Sequence, residues 1–129
     1  MMNRTMTKFL THMKRIAIPV FEGKLSQQFG QCSHFLVYEI GGNSMKHSEL
    51  KLPFFDDLSE LPDWTARQGI TDIIAHKIDQ RIISRFISNK INLFIGVRFD
   101  TPQVLIEDYI NGRLTSDGKI IREITESIN

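Results

Sequence analysis

A cysteine and a histidine two positions apart, Cys32 and His34, supply the ligand types that soft metals prefer. They follow Gly30 in a stretch, residues 21–33, that shows no sustained periodicity and is therefore predicted to be a long loop. A thiolate and an imidazole could each bond to a metal cluster that arrives preassembled and needs few protein ligands. The alternative is packing, because a lone cysteine commonly behaves as a small buried apolar residue. We therefore treat Cys32 and His34 as candidate metal ligands.

Three cationic side chains, Lys77, Arg81 and Arg85, recur four residues apart. A helix is predicted from about Asp79, so Lys77 and Arg81 bracket its first turn. Cations at this end oppose the helix dipole, whereas free backbone N–H groups together with two cations suit a phosphate or an anionic cluster. The alternative is a solvated helix face. The spacing predicts an anion-binding turn at His76, Lys77 and Arg81.

The sequence carries no recognisable catalytic pattern. No GxSxG, HExxH, phosphate-binding P-loop or CxxC motif occurs. Four acidic residues cluster near a predicted helix start, where they complement the helix dipole and are better interpreted as capping than as a two-metal site: Asp56, Asp57, Glu60 and Asp63. We therefore expect a protein that is not an enzyme.

Length and charge favour one soluble domain. The chain has 129 residues, 41% of them hydrophobic, and a net charge of +1, which does not favour nucleic acid as a partner. No apolar run is long enough to cross a membrane, and the single cysteine suits the cytoplasm. The first fifteen residues hold four cations and no acid but lack a secretory signal pattern. We expect residues 1–12 to be a flexible N-terminal extension and residues 13–129 to form a single domain. The alternative for the N-terminal segment is a docked helix built on Met6, Phe9, Leu10 and Met13.

Hydrophobic periodicity and turn residues predict alternating strands and helices after an initial hairpin. The predicted strands are residues 15–20, 34–40, 44–52, 71–75 and 92–97, and the predicted helices are residues 57–68, 79–89, 101–111 and 117–129. This order indicates an α/β protein with a mixed sheet and helices on its faces. Ligands of such sheets bind beyond the carboxyl ends of strands, which points to the loop after the first strand and to the turn at residues 75–79.

Several segments, in order along the chain, resemble the dinitrogenase iron-molybdenum cofactor biosynthesis family. They are residues 14–19 (KRIAIP), 25–30 (LSQQFG), 61–64 (LPDW), 69–75 (GITDIIA) and 106–114 (IEDYINGRL). Each segment alone is weakly specific, but together they cover residues 14–114. The family includes NifX-like and NafY-like carriers and the C-terminal part of NifB.

The resemblance implies both a fold and a function. The fold is a ribonuclease H-like α/β domain with a five-stranded mixed sheet in the order 3-2-1-4-5, strand 2 being antiparallel. The function is non-enzymatic binding or carriage of iron-molybdenum cofactor or an iron-sulfur precursor cluster, with cluster-assembly proteins as partners and homodimerisation as a further expectation. Combined with the residue types discussed above, this function gives the expected binding residues Ser26, Gln28, Phe29, Gly30, His76, Lys77 and Arg81, and the expected metal ligands Cys32 and His34.

Two positions depart from the family's pattern. Gln28 stands where members commonly carry a histidine, and an amide is a poor ligand for a soft metal. Residues 76–78, His-Lys-Ile, stand where members tend to carry a glycine-rich turn. These departures support an alternative function, a metal-free interaction or regulatory module that acts through the sheet edge or a homodimer face.

Overall fold

The computed structural model describes residues 13–42 and 44–126. In chain order, its elements are β1 (Lys14–Phe21), β2 (Lys24–Leu25), β3 (His34–Gly41), β4 (Ser44–Leu50), a 3-10 turn (Leu58–Glu60), α1 (Leu61–Arg67), β5 (Asp72–Ile74), α2 (Gln80–Ser88), β6 (Asn92–Phe94), α3 (Pro102–Ile110) and α4 (Gly118–Glu126). The predicted N-terminal extension, residues 1–12, lies outside the described residues.

The strands form one mixed sheet in the order β4-β3-β1-β5-β6, with β2 paired to β1. Strand β3 is antiparallel to β1 and β4, whereas β5 is parallel to both β1 and β6. At the centre, Ala17 of β1 lies between Val37 of β3 and Ile73 of β5. The predicted α/β class, the strand order and the antiparallel second strand therefore agree with the observed path.

The predicted number of five strands is wrong, because a sixth strand, β2, follows β1 directly. Glu22 and Gly23 both have positive φ angles, 53° and 78°, and the chain reverses there. Leu25 consequently pairs with Val20. A two-residue strand has no hydrophobic periodicity of its own, which is why this segment was predicted to be loop.

Alternating side chains of the strands supply two separate cores, one on each face of the sheet. One core joins Ala17 and Val37 to Leu61 of α1 and Phe86 of α2. The other joins the opposite face of the strands to α3; its fully or nearly fully buried members include Ile16, Ile18, Ile74, Leu105 and Ile106. We call these the α1/α2 core and the α3 core.

Helix α1 starts later than the sequence predicts. The chain first makes the 3-10 turn, which Asp57 caps by accepting a hydrogen bond from Ser59 N, and only then the α-helix with Pro62 in its first turn. Leu58 is consequently exposed, while Trp64 is partly buried and packs against Phe35 and Phe55. The predicted helix at residues 57–68 is thus split into two elements.

Helices α2 and α3 begin next to the predicted starts at residues 79 and 101, each with a capping side chain. The Asp79 carboxylate accepts a hydrogen bond from Arg81 N at the start of α2, and Thr101 Oγ1 accepts from Val104 N at the start of α3. Among the described residues, no helix combines the length and the apolar character that crossing a bilayer requires.

Candidate ligand-binding site

The loop after β1 and the turn after β5 meet through their backbones. Phe29 N donates to Lys77 O at 2.9 Å, Lys77 N donates to Gln27 O at 3.2 Å, and Gln28 and Lys77 form an isolated parallel bridge. The reason is topological, because β1 and β5 are adjacent parallel strands whose carboxyl ends lie at the same sheet edge. The two segments predicted to carry the site are therefore neighbours.

Ser26 holds the loop in this position. Its backbone N donates to Pro19 O at 2.8 Å, and its hydroxyl donates to Gln28 O at 3.0 Å. The side chain is 3% exposed, so it stabilises the loop from within. Ser26 thus positions Gln28.

A pocket of about 460 Å³ opens where these segments meet. Its lining residues are Gln28, Lys77, Ile78, Asp79, Arg81, Glu123 and Ile124. Three of them, Gln28, Lys77 and Arg81, were expected from the sequence. Glu123 and Ile124 come from α4, a helix that the sequence analysis did not connect with the site.

The two cations of the pocket are both paired with carboxylates. Lys77 Nζ lies 2.8 Å from Glu123 Oε2, and Arg81 Nη2 lies 2.6 Å from Asp79 Oδ2. The hydrogen bond from Lys77 lowers the pKa of Glu123, and hydrogen bonds from Arg81 lower the pKa of Asp79. An entering anion must therefore compete with a carboxylate at each cation.

Arg85 does not belong to this pocket, although the four-residue spacing suggested one stripe. Lys77 precedes α2, whose N-cap is Asp79, so it does not continue the helical stripe of Arg81 and Arg85. Arg85 instead lies beside the 3-10 turn, with Nη1 3.5 Å from Ser59 O. Lys77 and Arg81 line this pocket together, whereas Arg85 shares with Arg81 a second pocket beside the 3-10 turn.

Phe29 and Gly30 lie behind the pocket and support the loop. The Phe29 side chain is 3% exposed, and its ring centroid is 5.1 Å from that of Phe35 and 5.4 Å from that of Phe86. Gly30 has a φ of +95°, and a Cβ added there would lie 3.2 Å from Leu58 Cδ2. Both residues fix the course of the loop, and their contact with a ligand stays a prediction.

His76 links the turn after β5 to the turn after β6. Its Nδ1 lies 2.8 Å from Val97 O, and because a carbonyl only accepts, Nδ1 carries the proton of this hydrogen bond. The ring is buried and stacks on Phe99 at 3.8 Å between centroids. His76 is thus held rigidly beside the pocket, with Nε2 as the unprotonated nitrogen of its neutral form.

The candidate metal ligands Cys32 and His34 belong to different faces of the sheet. Cys32 packs against the α1/α2 core, and burial raises the pKa of its thiol to about 11. His34 alternates with Phe35 and therefore lies on the opposite face, where Nδ1 is 3.1 Å from Ser33 Oγ and Nε2 is 3.8 Å from Glu49 Oε1. Their ligation of a metal stays a prediction.

Within residues 13–42 and 44–126, no group of three or more His, Cys, Asp or Glu side chains is arranged to hold a metal ion. The sequence reasoning missed Glu123, because its proximity to Lys77 arises from the folding of α4 and leaves no local pattern.

The family model described as dinitrogenase iron-molybdenum cofactor matches residues 13–112. The chain therefore belongs to this family. No curated protein matches the sequence.

Solved structures have the same fold over most of the chain. The crystal structure of PH0822 has a TM-score of 0.73 and 25% identity, covering 82% of this chain and 96% of its own. A candidate dinitrogenase from Methanocaldococcus jannaschii has a TM-score of 0.61 and 25% identity, covering 82% and 95%. The apo form of the orange protein from Desulfovibrio gigas has a TM-score of 0.65 and 15% identity, covering 83% and 95%, and this likeness concerns the fold alone.

Proposed function

We propose that the protein is a non-enzymatic carrier that holds iron-molybdenum cofactor, or an iron-sulfur precursor of it, as its cargo. The observation that carries this proposal is the backbone pairing of Gln28 with Lys77, which joins the two predicted binding segments around one pocket. Membership of the iron-molybdenum cofactor family supports the choice of cargo. The proposal includes a ribonuclease H-like fold, cluster-assembly proteins as partners and the cytoplasm as the location.

The binding chemistry rests on two cations and one amide at the pocket. Lys77 and Arg81 supply positive charge, and Gln28 supplies an amide that can donate to sulfide or carboxylate groups. Gln28 is a poor metal ligand, so the cargo is held by charge-assisted hydrogen bonds more than by metal bonds. Cys32 can contribute a metal bond only after its thiol loses the proton that burial stabilises.

An anaerobic titration with isolated iron-molybdenum cofactor tests the proposal. The wild-type protein should bind it, and replacing both pocket cations, Lys77→Gln with Arg81→Gln, should weaken binding about tenfold or more, since charge-assisted hydrogen bonds contribute about 1.5–3 kcal/mol each. A matched control, Lys46→Gln with Lys51→Gln, removes two exposed cations that do not line the pocket. The control should bind as the wild type does.

Two further variants separate metal ligation from anion binding. Citrate serves as a polyanion that contains no metal. Cys32→Ser and His34→Ala should leave citrate binding unchanged, and each should weaken cofactor binding only if its side chain bonds to the metal. Absence of cofactor binding by the wild type, or equal losses in the pocket and control variants, would refute the carrier function.

A metal-free interaction module is the second candidate, and the exposed edge strand favours it. Every described residue of β4 from Ser44 to Glu49 is exposed, and β4 ends the sheet. An edge strand offers unpaired backbone groups to another strand, either from a partner protein or from a second copy. Concentration-dependent association in light scattering, together with no cofactor binding, would favour this function over the carrier.

A further inference from the structure

Helix α4 lines one side of the pocket but lies beyond the part of the chain that the family model matches. The match ends at residue 112, whereas α4 comprises Gly118–Glu126. From α4, Glu123 and Ile124 line the pocket. This wall of the site is therefore contributed by a segment additional to the matched family domain.

Close contacts hold α4 against the turn after β6. Asp117 N donates to Gly96 O at 2.7 Å, and the Asp117 carboxylate lies 3.1 Å from Arg98 Nε. Ile121 packs directly onto Gly96, where an added Cβ would lie 2.6 Å from its Cδ1 atom. These contacts direct the following turn of α4, with Glu123, toward Lys77.

The Lys77 ammonium group is partly shielded by the Glu123 side chain of α4. The Lys77 side chain is 22% exposed, and its nitrogen lies 2.8 Å from Glu123 Oε2. An external anion that approaches Lys77 at hydrogen-bond distance would therefore meet the Glu123 carboxylate, and like charges so close together repel each other. Glu123 therefore occupies one of the three donor directions of the Lys77 ammonium group, and an anion that binds Lys77 competes with it.

We propose that α4 is a cap on the binding site, and that Glu123 is an internal counterion which an anionic ligand must displace from Lys77. This inference rests on the proposed function and specifies the ligand class. A monoanion would exchange one ion pair for another and gain little. A polyanion could replace Glu123 at Lys77 while also engaging Arg81, so the cap selects ligands with several negative charges.

The test measures affinity for citrate, as a metal-free polyanion, and for acetate, as a monoanion, alongside isolated iron-molybdenum cofactor. Glu123→Gln keeps the side-chain shape and removes the internal charge, so it should bind citrate and the cofactor about two- to fivefold more tightly than the wild type, within the range of a partly exposed ion pair. Glu107→Gln removes the same charge from an exposed position of α3 that does not line the pocket. It should change affinity less than twofold.

Hydrogen exchange of the α4 amides supplies a second readout, since displacement of the cap should expose them. Exchange should accelerate when citrate binds the wild type, and it should accelerate in Glu123→Gln without any ligand. Acetate should cause no acceleration.

The outcomes distinguish this inference from the function on which it rests. Cofactor binding that is equal in the wild type and Glu123→Gln, with unchanged α4 exchange, would overturn the cap and leave the carrier function standing. If neither the wild type nor any variant bound cofactor or citrate, the carrier function would be overturned. The proposed competition between ligand and Glu123 at Lys77 would then be overturned as well.

Discussion

Asp72 is a fully enclosed carboxylate at the amino end of β5, the end opposite the candidate site. Its side chain accepts hydrogen bonds from Thr71 Oγ1 at 2.6 Å, Asn92 Nδ2 at 3.3 Å and Tyr109 Oη at 3.1 Å, and Lys14 Nζ lies 3.8 Å away. These partners come from β1, from the residue that precedes β5, from β6 and from α3. Asp72 therefore ties together distant parts of the chain, and its role is structural.

The Tyr109 hydroxyl should make stability depend on alkaline pH. Burial and the neighbouring Asp72 charge raise the pKa of Tyr109 above its ordinary value of 10.0. The unfolded chain loses this proton at lower pH than the folded one, so the contribution is complete below pH 10 and declines as pH rises further. Urea unfolding from pH 8 to pH 11 should show a steeper loss of stability for the wild type than for Tyr109→Phe. Parallel curves would contradict this assignment.

Cys32 should be unreactive in the folded protein. Its pKa of about 11 leaves little thiolate at pH 8, and the side chain packs against the α1/α2 core. A colorimetric disulfide reagent should modify it at least about tenfold more slowly in the native protein than in urea. Because Cys32 is the only cysteine, the signal needs no correction for other thiols. Equal native and denatured rates would show that the thiol is open to solvent.

At the level of elements, the candidate site depends on the contacts between the turn after β5 and the turn after β6. The turn after β5 bonds to the turn after β6 through His76, whose carbonyl accepts from Gly96 N and whose ring bonds to Val97 O. The turn after β6 in turn receives α4. The contacts of these turns therefore help to place Glu123 beside Lys77.

Gly96→Ala should loosen α4 from the turn after β6. Gly96 has a φ of +73°, and a Cβ there would lie 2.6 Å from Ile121 Cδ1. The control, Gly112→Ala, has a similar φ of +68° but meets nothing within 4 Å, so it isolates the conformational cost. Gly96→Ala should lower the free energy of unfolding by about 1–3 kcal/mol more than Gly112→Ala, and it should speed exchange of the α4 amides. If the two variants lost the same free energy of unfolding, α4 would be able to move away from the added methyl group without cost.

For the whole molecule, the two cores share one central strand, β1. Ala17 contributes to the α1/α2 core, while Ile16 and Ile18 contribute to the α3 core, and all three side chains are fully buried. The cooperative unit should therefore begin at β1. The family match, which starts at residue 13, has the same boundary.

Removing residues 1–12 should leave the domain intact, because among the residues that the structure describes the buried core begins at Ile16. The truncated chain starting at Met13 should retain the free energy of unfolding to within about 0.5 kcal/mol, as measured by urea denaturation. It should also retain its affinity for citrate. A loss above about 2 kcal/mol, or an insoluble product, would mean that the first twelve residues belong to the fold.

Local signals in the sequence predicted most of the elements. Hydrophobic β-branched runs predicted β1 and β5, and Asp79 and Thr101 predicted the starts of α2 and α3, because strand patterning and helix capping act over a few neighbouring residues. The same locality explains the failures. Strand β2 is too short to carry a pattern, and the 3-10 turn before α1 resembles a helix in its spacing.

The sequence by itself determined the α/β class, the family resemblance and the two segments that could carry a site, because all three depend on local patterning and motif order. Only the tertiary structure decided which side chains meet. It placed Cys32 and His34 on opposite faces, and it paired Lys77 with Glu123. Such pairings join residues far apart in the chain, and they arise from the strand order and from the docking of α4, which no local pattern encodes.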